Sequence, residues 1–143
     1  MTNTPFRPTI QSQSDLQRTW EHLMGPWSFG GQSIWMMLIV GDHPHPHLTE
    51  ISEADEPPDD EMAGRLVALL QMLDGETDPG MRVAFLRSRP GFDVVTDDDR
   101  AWATALYDVA RRAAVPCEVV HLGTRGSIRS LPPDELEVAA AAG

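Results

Sequence analysis

The chain contains no lysine: all eleven basic residues are arginine, set against 22 aspartates and glutamates for a net charge of −11. Without lysine there is no Schiff-base chemistry and no P-loop amine to hold a phosphate. A field this negative repels nucleic acid and anionic membrane surfaces. A single cysteine, Cys117, excludes an internal disulfide and fits a reducing compartment. No apolar run reaches the length of about 18 residues that a transmembrane helix needs. The opening MTNTPFRPTIQSQS also lacks the apolar core of a signal peptide. Arginine-only, alanine-rich usage matches a GC-rich bacterial genome. These features predict a bacterial cytoplasmic protein with no affinity for nucleic acid or membrane.

What is present suffices for one domain, since 41% of the 143 residues are apolar. Residues 1–12 are polar, hold Pro5 and Pro8, and read as a flexible arm. Ser14 predicts a helix over 15–24, with Gln17 as capping-box partner and Leu16, Trp20 and Leu23 on one face. The apolar run Ser33 to Val40 predicts a strand buried on both faces. Asp42 to His47 reads as a loop and Leu48 to Ala54 as an antiparallel return strand. Pro57-Pro58 leads into a helix over 59–74, and Met81 to Leu86 forms the next strand.

Thr96 is a strong N-cap with Asp99 at the capping-box position, and Asp97, Asp98 and Asp99 all favour the positive end of a helix dipole. That helix carries Trp102, Leu106, Val109 and Ala113 on one face and ends at Val115-Pro116. Cys117 to Leu122 and Ser127 to Leu131 pair as a hairpin around the turn Gly123 to Gly126. Trp27 is placed over a sheet edge, and the acidic, then alanine-rich tail 132–143 as a frayed helix or disorder. The order predicts a single-domain α/β sandwich around a mixed sheet, spanning 13–131.

Three groups of residues could carry chemistry. Arg87 and Arg89 flank Ser88 at a strand end, on one face because they are two apart. Guanidinium forks bind phosphate or carboxylate, so the pair is a candidate anion site for a ligand-binding sensor or enzyme. The alternative, favoured in so acidic a chain, is an internal ion-pair network with Asp93, Asp97, Asp98 or Asp99. The second group is His43, His45 and His47, which offer imidazoles to zinc, nickel or copper but are spaced by prolines in a loop whose sequence shows no obvious second shell to fix their tautomers. The third is Cys117 with His121, but four residues along a strand is about 13 Å, too far for a nucleophile and its base.

The Arg87-Ser88-Arg89-Pro90 and Thr96-Asp97-Asp98-Asp99-Arg100-Ala101-Trp102 segments resemble the JAB/MPN metallopeptidase superfamily, most nearly its RadC-like branch. That family carries a glutamate on an early strand, His-x-His-Pro at a strand end, and Ser-x-x-Asp about seven residues later at a helix start. The resemblance covers roughly residues 13–131 and implies a cytidine-deaminase-like α/β fold. In it both metal histidines are replaced, by Arg87 and Arg89, which have no lone pair for zinc. Thr96 and Asp99 match the hydroxyl and aspartate positions with a spacing one residue short; held at seven, Asp97 and Arg100 fall there instead. Glu50 or Glu53 matches the general-base glutamate. The resemblance therefore implies a metal-free, catalytically inactive member with no cofactor. Such members commonly act as assembly partners, which implies a protein partner or homo-oligomer.

Overall fold

A computed structural model describes residues 8–24, 31–45, 48–77, 81–134 and 136. Among them, three helices and six strands alternate as α1 (Gln13–Met24), β1 (Ser33–Val40), β2 (His43–Pro44), β3 (Thr49–Ile51), α2 (Asp60–Gly75), β4 (Arg82–Ser88), α3 (Asp97–Ala113), β5 (Val120–Thr124) and β6 (Ser127–Leu131). The strands form one mixed sheet in the order β2-β1-β4-β5-β6, with β3 also paired to β1. Only β4 and β5 run parallel, because α3 crosses between them; the other neighbours are antiparallel. Both faces are covered, giving the α/β sandwich expected from the sequence. No helix among the described residues is long and apolar enough to cross a membrane.

The sheet's two faces bury different sets of residues. Leu66 and Leu70 of α2 and Trp102, Leu106 and Val109 of α3 pack on Ile34, Met36, Val83, Phe85, Val120 and Leu122. On the other face Leu16 and Trp20 of α1 pack on Met37, Ile39, Ala84 and Leu86. Strands β1 and β4 are therefore apolar on both sides, which their nearly unbroken hydrophobic runs require.

Several expectations are corrected by long-range pairing. The arm is docked from Pro8 onward: Ile10 is buried, its amide donates to the Asp42 carbonyl, and its carbonyl accepts from Arg82. Residues 1–7 lie outside the described residues, as do Trp27 and 137–143 of the tail. Helix α1 starts earlier than expected because the Ser12 hydroxyl, not Ser14, accepts from the Asp15 amide at 3.1 Å. Gln17 instead donates to the Ile128 carbonyl on β6. The loop expected at 42–47 begins as strand: Gly41 and Asp42, both at positive φ, turn the chain so that His43 pairs with Val40. Strand β5 starts at Val120; Cys117 makes only an isolated bridge to Val83. The hairpin turn shrinks to Arg125 and Gly126, since Gly123 and Thr124 still pair with Ile128 and Ser127.

Candidate functional site

The correction that matters most for function is at the end of β4. The strand does not stop at Leu86 but runs on through Arg87 and Ser88. These two residues pair with Ile34 and Ser33 on one side and with Leu122 and Gly123 on the other. Arg87 thus sits inside the sheet rather than at a mouth, and is 1% exposed. Pro90 and Gly91, the latter at φ +103°, then turn the chain towards α3.

The start of α3 is set locally. The Thr96 hydroxyl accepts from the Asp99 amide at 3.1 Å, and the Asp99 carboxylate accepts from the Thr96 amide at 2.9 Å, closing a capping box. That geometry turns Asp99, alone of the three first-turn aspartates, back under the helix, where it is fully buried. Asp97 faces water and pairs with Arg100, while Asp93 goes to Arg129 and Ser127.

Asp99 meets both arginines. Arg87 Nε donates to Oδ1 at 2.8 Å; Arg89 grips the carboxylate with Nε on Oδ1 at 2.8 Å and Nη2 on Oδ2 at 2.7 Å. With the Thr96 amide, these donors fill the acceptor positions of the carboxylate. The cluster carries two positive charges against one negative, so the surplus is solvated by neutral oxygens. Arg87 donates to the Ala54 carbonyl at 3.0 Å and Gln32 Oε1 at 2.7 Å. Arg89 donates to the carbonyls of Pro90, Phe92 and Val94. Burial by itself pushes the Asp99 carboxyl up, but hydrogen bonds from Arg89, the Thr96 amide and Arg87 outweigh it and hold the group at about 2. The bond to Asp99 likewise raises Arg89 above its ordinary value.

The other candidates lie elsewhere. Ser88 points to the opposite face of the sheet, where its hydroxyl accepts from Trp35 Nε1 at 2.9 Å. Glu50 pairs in register with Trp35 and accepts from the Ser33 hydroxyl at 2.7 Å, so it shares that opposite face and does not meet Asp99. Glu53 is exposed, at φ +57°. His43 Nδ1 contacts the Pro8 carbonyl at 3.0 Å. No group of three or more His, Cys, Asp or Glu that could hold a metal comes together among the described residues; His47 lies outside them. Burial pushes the Cys117 thiol up to about 12 and the buried His121 down to about 4, so neither is poised as nucleophile or base at neutral pH.

No family model and no curated protein matches this chain. The site must be read from its own geometry.

That geometry does not fit zinc. The two guanidiniums have no lone pair to offer a metal, and the one carboxylate has its acceptor positions filled. It does not favour an external anion either, because every guanidinium nitrogen of Arg87 and Arg89 already donates to a protein oxygen. Sequence reading misses Gln32 and the Ala54, Pro90, Phe92 and Val94 carbonyls. Backbone acceptors leave no mark in side-chain chemistry; the one available signal is that a buried arginine must find about five acceptors somewhere.

Proposed function

We propose that this chain is a JAB/MPN-like domain of the RadC-like type in which an Arg87–Asp99–Arg89 cluster stands in for the metal site. It works as a protein-binding or scaffolding module, a pseudoenzyme without peptidase activity. The observation that carries this reading is the saturation of Asp99 by two guanidiniums and a backbone amide. A strand–helix junction that a bound ion would otherwise tie is here tied by charge-assisted hydrogen bonds. The run Arg87-Ser88-Arg89-Pro90 leaving a central strand, and Asp99 in the next helix's first turn, also support the resemblance.

Zinc stoichiometry of the untagged protein tests this directly. The expected result is no stoichiometric zinc before or after a mild chelator wash, and no activity on peptide or isopeptide substrates. One tightly held zinc per chain would sink the reading. The double variant Arg87→His/Arg89→His sharpens it: if the resemblance holds, two imidazoles and a freed Asp99 gain zinc that the parent lacks. A folded double variant that stays metal-free counts against the resemblance.

A further inference from the structure

Arg89 shapes the loop that follows it. Its Nη1 donates to the carbonyls of Pro90 and Phe92, both at 3.2 Å, and its Nη2 to the Val94 carbonyl at 2.7 Å. The Arg125 amide holds the Gly91 carbonyl at 3.1 Å, and the Val94 amide closes onto the Phe92 carbonyl at 2.8 Å. A β-carbon at Gly91 would come within 3.3 Å of Arg89 Nη1, so the loop closes tightly around the guanidinium.

Carbonyls turned inward leave the side chains turned outward. Phe92 is 78% exposed and Val94 67%, the highest among the large hydrophobics described. Two apolar groups are thus fixed in water on a loop whose backbone is already ordered. A partner that covered them would gain the apolar contact without the usual cost of ordering a loop.

The surroundings say which partner fits. Beside this loop Asp98 of α3 is exposed, as is Asp97, which pairs with Arg100; Arg125, whose amide binds Gly91, is exposed there too. On the other side of the cluster Arg87 holds the Ala54 carbonyl, and there a groove of about 530 Å³ opens, lined by Glu53, Asp55, Glu56, Asp59 and Glu61. Arg65 lines it too, but is paired with Glu61. A second copy of a chain with net charge −11 is repelled from this end, as is an anionic membrane.

We propose that the loop 90–95 and the acidic groove form one docking surface for a basic peptide segment of a partner protein. Its apolar side chains cover Phe92 and Val94, and its arginines or lysines meet the carboxylates on either side. This rests on the binding-module reading and gives that module its partner chemistry.

The probe is a library of displayed peptides, each about 12 residues and so roughly 40 Å when extended, selected against the full chain. Enriched sequences should combine Arg or Lys with aromatic or aliphatic residues. Phe92→Ser/Val94→Ser should weaken their binding about tenfold or more, while leaving the melting temperature unchanged because both side chains are already in water. Asp97→Asn/Asp98→Asn should weaken binding less and flatten its salt dependence. Peptides without basic residues, peptides that bind the Phe92/Val94 variant as tightly as the parent, or a selection that enriches nothing overturn this surface. So does a Phe92-dependent dimer in sedimentation, which would make a second copy the occupant. These outcomes leave the zinc result intact; a zinc-loaded, peptidase-active chain instead overturns the binding-module reading itself.

Discussion

At its N-terminal end β4 carries Arg82, whose guanidinium reaches Asp42, Glu118 and the Ile10 carbonyl while its side chain stays 28% exposed. Five residues on, Arg87 is 2% exposed at the side chain and pairs with an Asp99 that water does not reach. The first cluster has one cation and two carboxylates; the second has two cations and one carboxylate. Water and salt can screen the first, so its pairs are weak and its parts replaceable. In the second, the charges have lost nearly all of their hydration, and its stability depends on each partner being in place. Removing a partner therefore has very different consequences at the two ends, and that asymmetry can be tested.

The largest effect is expected for Asp99→Ala. It strands two guanidiniums in the interior and removes half of the α3 capping box. Unfolding in urea should show a loss of about 3–5 kcal/mol. A loss under about 1 kcal/mol would place this cluster in the same class as the Arg82 end. Arg87→Ala comes next, at about 2–4 kcal/mol, because Arg89 still holds Asp99 while the Gln32 and Ala54 oxygens lose their donor. Zinc content should not change in either variant.

Acid should act on the same contact. The Asp99 carboxyl titrates near 3.8 when unfolded and at about 2 when folded. A depressed carboxyl contributes its stability fully above the unfolded value, and loses it as pH falls through 3.8 towards 2. The contribution is roughly 2 kcal/mol. Urea midpoints measured from pH 5 down to pH 2.5 should fall in the parent, and an Asp99→Asn variant should lack that component of the fall. Equal slopes in the two proteins would mean that Asp99 is not the responsible group.

How much of this is legible in the sequence depends on how local each cause is. The Thr96–Asp99 capping box is contained in four residues, so the start of α3 can be read directly, and with it the aspartate that turns inwards. The burial of Arg87 cannot. It follows from β4 running on between β1 and β5, and those pairings join residues 53 and 35 positions away. Glu50 shows the same limit: whether it faces Asp99 is decided by strand parity, which depends on its register with Trp35. The docking of the arm is hidden for a related reason. Ile10 is a lone apolar residue among polar ones, with no periodicity to show it, and it is buried because Asp42 and Arg82 hold its backbone. The Gly41-Asp42 turn does carry a signal, since two left-handed residues there make a tight hairpin. The prolines at 44 and 46 obscure it.

The smallest effect is expected for Arg82→Ala, and it bears most directly on the contrast between the ends. Its partners Asp42 and Glu118 are 48% and 29% exposed at the side chain, so both carboxylates return to water when the guanidinium is removed. The loss of stability should be about 1 kcal/mol, and should shrink at about 1 M salt, where screening acts within about 3 Å. The Ile10 carbonyl is the exception, since it loses a 2.9 Å donor at the point where the N-terminal segment docks. The expected signature is therefore mainly local: proteolysis near residues 8–12 speeds up and amide exchange at Ile10 rises, while the urea midpoint falls only by what that small loss requires. A loss as large as that of Arg87→Ala would mean that the fold depends on Arg82 no less than on the buried pair. Exposure would then not be what separates the two ends of β4.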